Sequence, residues 1–215
     1  MISMRIGILG AGNVGQSLGK GLAKSGHQIL ISSRTPHSRK RNLWKHEVGD
    51  AGDIASFAEA AQFGEVIIAA LPWSSMIEVI ETIDPVYLKN KTVIDVSNAV
   101  HFDNGPRLLL TNTSAGEVIQ SILPESHVVK TLNTVSDKIM SHPQYKEGSP
   151  IMFVSGNHAP SKDQVRVLLN DLGWSTVVDL GDIRQSFLQE SIMLACVISE
   201  IQLQSPGSSF ALLRH

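Results

Sequence analysis

Residues 4–32 read MRIGILGAGNVGQSLGKGLAKSGHQILIS. Met4 to Leu9 is an apolar run of strand length that ends in glycines. A helical pattern follows from about Asn13 to Ser25, with Gly26 as its natural stop. Gln28 to Ser32 is apolar again, so strand, helix and strand fit within about thirty residues. Gly10-Ala11-Gly12-Asn13-Val14-Gly15 has the spacing GxGxxG and sits at the strand-to-helix junction. In that context the spacing is the dinucleotide-binding fingerprint. The first glycine makes the tight turn, the second admits a pyrophosphate close to the backbone, and the third lets helix pack on strand. The helix amino end then offers N–H groups and partial positive charge to phosphate. The competing reading is a purely structural turn.

The end of the second strand chooses the nucleotide. An NAD site usually places Asp or Glu there, to accept from the ribose 2′-hydroxyl. This chain has Ser32-Ser33-Arg34-Thr35, with Ser33 23 positions after Gly10 and no carboxylate until Glu47. A hydroxyl and a guanidinium attract a 2′-phosphate through charge-assisted hydrogen bonds, where a carboxylate repels it. Ser33, Arg34 and Thr35 therefore point to NADP(H). Arg39, Lys40, Arg41 and Lys45 either deepen the positive field at this edge or form a solvated basic helix.

Outward from this unit, a polar segment from Arg34 to His46 predicts a loop running into a short helix. Asp53 to Phe63 reads as helix, and Glu65 to Leu71 as a third strand stopped by Pro72. Thr92–Ser97, His127–Leu132, Ile151–Ser155 and Thr176–Leu180 are predicted strands four to seven. Ser75 with Glu78, Ser114 with Glu117 and Ser161 with Gln164 read as helix-starting caps. A single long helix is predicted from Asp182 to about Gln204. Short apolar strands alternating with helices imply an α/β fold, a doubly wound and mostly parallel sheet covered on both faces. Residues 1–181 form the nucleotide-binding body and 182–215 a helix and tail that complete a second-substrate site or a dimer interface.

Composition narrows the class. The 215 residues are 42% hydrophobic and 18% charged, ordinary for a globular domain. Eighteen basic against 20 acidic residues argue against a dedicated nucleic-acid binder. One cysteine, Cys196, can form neither an intrachain disulfide nor a multi-thiolate metal site, which suits a cytoplasmic protein. The longest apolar runs, Val66–Pro72 and Ile192–Ile198, have seven residues each, short of the ~18 that a membrane span needs.

In open α/β sheets, ligands bind beyond the carboxyl ends of the strands. Those ends are Gly10, Ser33, Leu71-Pro72, Ser97-Asn98 and Leu132-Asn133-Thr134. Hydride transfer between stacked heterocycles needs placement above all, so no dedicated acid–base residue is assigned. Asn98 and Asn133 are read as hydrogen-bonding ring carbonyls or a carboxamide. His101 and His127 are acid–base candidates, weighed against structural roles at a turn and a strand start; His142 and His158 rank below them. Pro72-Trp73 is either a hydrophobic wall for a ring or a strand-to-helix turn. Cys196 reads as core. The last helix is apolar nearly all round, so it must be buried, in a homodimer interface or under a second ligand.

The run from Met4 to Arg34, together with LPW (71–73), VVKTLNTVS (128–136) and FALLR (210–214), resembles the NADPH:coenzyme F420 oxidoreductase family. The cytosolic NADPH-binding domains of six-transmembrane metalloreductases are similar too. The resemblance covers essentially the whole chain. It implies a Rossmann-type body, often dimeric, that shuttles hydride between NADP(H) and a small-molecule acceptor: coenzyme F420, FMN or FAD. By position it implies that Ala11, Gly12, Asn13 and Val14 touch the diphosphate, that Ser33 and Arg34 hold the 2′-phosphate, and that Leu71 and Pro72 lie against the nicotinamide. Family members often carry a histidine in the VVKTLNTVS region, where this chain has Asn133, and the Asn98–Thr113 loop departs from the family pattern. Two other readings stand beside this one: a non-catalytic NADP(H)-binding redox sensor or partner module, and a reductase of a small imine or carbonyl compound.

Overall fold

The computed structural model describes residues 3–35, 39–146 and 148–213. Ten strands are found among them. Eight form one sheet: β1 (Arg5–Leu9), β2 (Gln28–Ser32), β3 (Gly52–Ala55), β4 (Val66–Ala69), β5 (Thr92–Asp95), β8 (His127–Lys130), β9 (Ile151–Gly156) and β10 (Thr176–Asp179). Their order is β10-β9-β8-β5-β4-β1-β2-β3. All neighbours are parallel except β8 and β9, where Lys130 faces Ser155 in an antiparallel pair. The small remainder, β6 (Val100–His101) and β7 (Arg107–Leu108), is an antiparallel hairpin after β5.

Helices α1 (Asn13–Lys24), α2 (Arg39–Val48), α3 (Phe57–Phe63), α4 (Trp73–Glu81), α5 (Ala115–Ile122), α6 (Asp137–Met140), α7 (Ala159–Asp171) and α8 (Ser186–Leu203) surround the sheet. Successive strand residues point to opposite faces, and both faces are filled. Ile6, Ile8, Val66, Ile68, Ile94 and Val129 join one core layer with α1 and α7. Leu9, Ile67, Ala69, Val93 and Val128 join the other with α3, α4 and α5. This is the doubly wound architecture expected from near-continuous apolar strands. Its chain order reverses between β1, which leads to β2, and β4 on the other side, so a crevice opens beyond their carboxyl ends.

Several local expectations need correcting. Gly52–Ala55 is an edge strand, not the first turn of a helix; it pairs with β2 through Ile31↔Ile54. The helix starts at Phe57, where Ser56 and Glu59 form a reciprocal capping box. Ser75 is no cap, because α4 begins at Trp73 and the Ser75 hydroxyl donates to the Pro72 carbonyl at 3.2 Å. Ser161 lies inside α7, behind Pro160, and its hydroxyl pairs with that of Thr92 at 2.8 Å. Ser114 does cap α5, accepting from the Glu117 N–H.

The last helix is not buried all round. Met193 and Cys196 face the core, while Leu188, Ile198, Ile201 and Leu203 are 42–72% exposed. By length and composition alone, Ile183–Leu203 (mean hydropathy 1.2) is long and apolar enough to cross a membrane, although its longest unbroken apolar run is the seven residues Ile192–Ile198. In this fold its Gln189 and Glu190 are committed to the sheet, as described next.

Candidate functional site

The fingerprint glycines play three different parts. Gly10 has φ +125°, and a Cβ there would stand 2.4 Å from the Ala70 carbonyl oxygen. At Gly15 a Cβ would lie 2.2 Å from the Gly10 carbonyl oxygen, so α1 packs directly on the turn. Gly12 differs: a Cβ would meet nothing within 4 Å. Its open side faces the crevice, at the amino end of a helix with no acidic residue in its first turn. Behind the turn, the buried Ser32 hydroxyl donates to the Ile8 carbonyl at 2.9 Å and tethers the end of β2 to β1.

Two cavities meet at this turn. One, of about 450 Å³, is lined by Gly10, Ala11, Gly12, Ser33, Arg34 and Thr35, with Leu71 and Pro72 as its far wall. Among the described residues, no carboxylate lines it. Arg34 is exposed and makes no ion pair with any described residue. The Ser33 hydroxyl accepts from the Thr35 N–H at 3.1 Å, which keeps its own proton available to a ligand. The second cavity, of about 420 Å³, is lined by Gly12, Asn13, Val14, Leu71, Pro72, Asn98 and Asn133. Gly12, Leu71 and Pro72 belong to both, so the two are halves of one crevice. Trp73 also lines the second half, where it forms a wall and opens α4 at once.

Thus the sequence-derived candidates converge, apart from Gly15, which acts from behind. Some basic residues do not join them. The Lys45 ammonium is bound to the Gly52 carbonyl at 2.5 Å and lies 3.4 Å from Asp53, and it lines neither cavity. The side chains of Arg39, Lys40 and Arg41, and Arg214 of the FALLR motif, lie outside the described residues. The histidines stand elsewhere. His101 is on the hairpin, 3.2 Å from Asp103. His127 begins β8, at the opposite end of that strand from the crevice, and stacks on His158 with ring centroids 3.8 Å apart. Burial and then His158 hold the pKa of His127 below its ordinary value.

Sequence reasoning did not pick out the support behind the second cavity. Lys130 at the end of β8 is fully buried, and its ammonium lies 2.8 Å from Asp95 and 3.0 Å from Glu190. It also donates to the Ser97 carbonyl at 2.5 Å, while Asp95 accepts from the Ser97 N–H at 2.8 Å. Burial opposes the charge on Lys130, but the two carboxylates outweigh it and hold the ammonium above its ordinary pKa. For Glu190, burial dominates over the pull of Lys130 and, with Asp95 adding repulsion, pushes its pKa up. The signal was present: a lysine within VVKTL and an aspartate within TVIDVS stand in strands covered on both faces, where a charge needs a partner.

The raised Glu190 pKa makes a prediction. A carboxyl whose folded pKa is raised contributes stability that is complete below its ordinary value of 4.5 and lost as pH rises through the folded value. In Glu190→Gln that dependence is absent. The difference in melting temperature, parent minus variant, therefore falls as pH is raised from 4.5, as thermal melts over a pH series would measure. A flat difference would contradict it.

Comparison with known proteins agrees with this geometry. Residues 5–99 match the family described as NADP oxidoreductase, coenzyme F420-dependent. A crystal structure from Arthrobacter sp. FB24, provisionally described as an F420-dependent NADP-reductase, is 33% identical and superposes with a TM-score of 0.92, covering 99% of this chain and 100% of that one. The chain belongs to this family. The matched residues include the glycine turn, the end of β2 and the Leu71-Pro72 wall. Metalloreductase STEAP3 from Rattus norvegicus is 26% identical over 194 residues, 88% of this chain and 36% of its own. Glycerol-3-phosphate dehydrogenase [NAD(P)+] from Staphylococcus haemolyticus is 27% identical over 179 residues, 78% of this chain and 50% of its own. The chain thus spans between about a third and a half of the length of these two curated relatives.

Proposed function

We propose that the crevice binds NADP(H), with the 2′-phosphate on Ser33 and Arg34, the diphosphate over Gly12 and the nicotinamide against Leu71 and Pro72, and that the protein transfers a hydride between it and a deazaflavin or flavin. The observation that carries the reading is the continuous crevice. A carboxylate-free, arginine-bearing half joins an amide- and proline-walled half across Gly12, the fingerprint glycine with an open side.

The donor set fits the cofactor. The first half offers a guanidinium and a hydroxyl for phosphate. In the second, the Ser97 hydroxyl is buried at the cavity wall without a partner among the described residues. Such a group costs about 1–3 kcal/mol until something pairs with it, and a carboxamide or ring carbonyl would do so. When bound, NADP(H) supplies or takes up the hydride. The chain's own task is to hold two ring systems at ~3–3.5 Å and to exclude water, with Leu71, Pro72, Val135 and Met140 as apolar wall. No side chain in this half is assigned a proton to move.

A larger cavity, about 810 Å³, lies between α6, the segment after it and the chain's tail, and it shares Asp137 with the nicotinamide half. We assign to it the acceptor's side chain, with Lys138 and Lys146 as cations for an acidic tail. Coenzyme F420, FMN and FAD each have such a tail. The outer face of α8, with Leu188, Ile198 and Ile201 exposed, is assigned to a second copy of the chain. A monomeric mass by light scattering at micromolar concentration would refute the dimer. The cytoplasm, with its NADP(H) pool, is the proposed location.

The test is oxidation of NADPH followed at 340 nm with coenzyme F420, FMN, FAD and riboflavin as separate acceptors, and NADH as the paired control. Turnover with one acceptor and strong preference for NADPH is expected. Tight NADPH binding without turnover on any of them would favour a sensor or partner module instead.

A further inference from the structure

Two adjacent residues of α8, Gln189 and Glu190, are both buried, although neither lines the crevice. Gln189 accepts from the Ser155 hydroxyl at 2.6 Å, and its amide N–H groups face the Lys130 carbonyl (3.2 Å), the Phe153 carbonyl (3.4 Å) and Asn133 Oδ1 (3.4 Å). Asn133 in turn donates to Asn98 Oδ1 at 2.9 Å, and Asn98 donates to the Asn133 carbonyl at 2.9 Å. Asn133 and Asn98 line the nicotinamide half. Just before Asn133 stands Leu132, a buried non-glycine residue at φ +59°. Residues with a side chain disfavour that left-handed backbone, so its surroundings must hold it in place. Glu190 works on the other strand. It receives the Ala115 N–H at 2.9 Å and grips Lys130, which clamps the Ser97 carbonyl.

We infer that Gln189 and Glu190 are positioning residues: through Asn133 and through Lys130, they set the wall of the nicotinamide half from behind. The inference rests on the NADP(H) reading above. It gives α8 a part in cofactor geometry without touching cofactor. Site groups held within a fraction of an ångström depend on such supporting bonds. Among the described residues, none of α8 lines the adenosine half. Its residues come from the glycine turn after β1, the end of β2, the start of α3 and the β4–α4 turn.

The two halves can therefore be separated by ligand. Adenosine 2′,5′-bisphosphate occupies only the first half, whereas NADP⁺ fills both. Gln189→Met keeps volume and removes the amide. Calorimetry should show NADP⁺ binding weakened at least fivefold while adenosine 2′,5′-bisphosphate stays within twofold of the parent. The emission of bound NADPH, which reports the surroundings of the dihydronicotinamide, should shift toward that of free NADPH. Glu190→Gln keeps shape and an acceptor for Ala115; it provides the second variant should Gln189→Met not fold, and it should show the same selective loss. Equal losses for both ligands, or no loss for either, would overturn the positioning role. Failure of the parent protein to bind adenosine 2′,5′-bisphosphate would overturn the NADP(H) reading itself, a result distinct from either.

Discussion

Gly12→Val is expected to leave a folded protein that binds NADPH more than a hundredfold more weakly than the parent. Gly12 has extended backbone, φ −76° and ψ −169°, which valine adopts without strain. Its Cβ would meet no protein atom within 4 Å, so the added methyls occupy only ligand space. The helix loses a favourable capping residue, at about 1 kcal/mol. For a chain of this size that is a drop of roughly 2–4 °C in melting temperature. Gly15→Ala supplies the contrast. Its Cβ would stand 2.2 Å from the Gly10 carbonyl oxygen, so the turn itself must move. Overpacking of that kind costs roughly 1–3 kcal/mol or more, and stability and binding fall together. Calorimetry with thermal melts on both variants separates the two. Unchanged NADPH affinity in Gly12→Val would mean that the turn is only structural.

Arg34→Ala should weaken NADPH about ten- to a hundredfold and leave NADH nearly unaffected. A hydrogen bond to a charged group is worth roughly 1.5–3 kcal/mol, which converts to that range at 1.4 kcal/mol per decade. Arg34 is exposed and pairs with no described acidic residue, so its removal strands no partner and leaves the melting temperature unaltered. The parent's preference for NADPH should also shrink as salt is raised, because the contact is open to solvent. Equal losses for NADPH and NADH would defeat the 2′-phosphate assignment.

The parts of this molecule legible in its sequence are those decided locally. The glycine turn, the carboxylate-free end of β2 and the Ser114–Glu117 cap are written in neighbouring residues, and each appears where the pattern puts it. Gly52–Ala55 was misread because a four-residue edge strand has little pattern of its own; the partner strand decides it. Ser56 and Glu59 nonetheless held the correct helix start in plain view. The buried Lys130 group was out of reach for another reason. A lone lysine in a strand announces that a partner exists, but not that the partners are Asp95 on β5 and Glu190 on the last helix. The crevice's outline follows from strand ends, whereas the bonds that brace it are tertiary.

Those bonds have a consequence for the order in which the protein can assemble. The tether behind the glycine turn, between Ile8 and Ser32, spans 24 residues, and the lining of the half that holds Arg34 is complete by Ser75. The brace from Ala115 to Glu190 spans 75 residues, and that from Lys130 to Gln189 spans 59. Closing longer loops costs more entropy and slows folding. During synthesis, which proceeds from the amino terminus, the half that carries Arg34 can therefore mature while its neighbour still waits for the final helix to emerge. One crevice is built in two instalments, and the half walled by Asn98 and Asn133 is the later one.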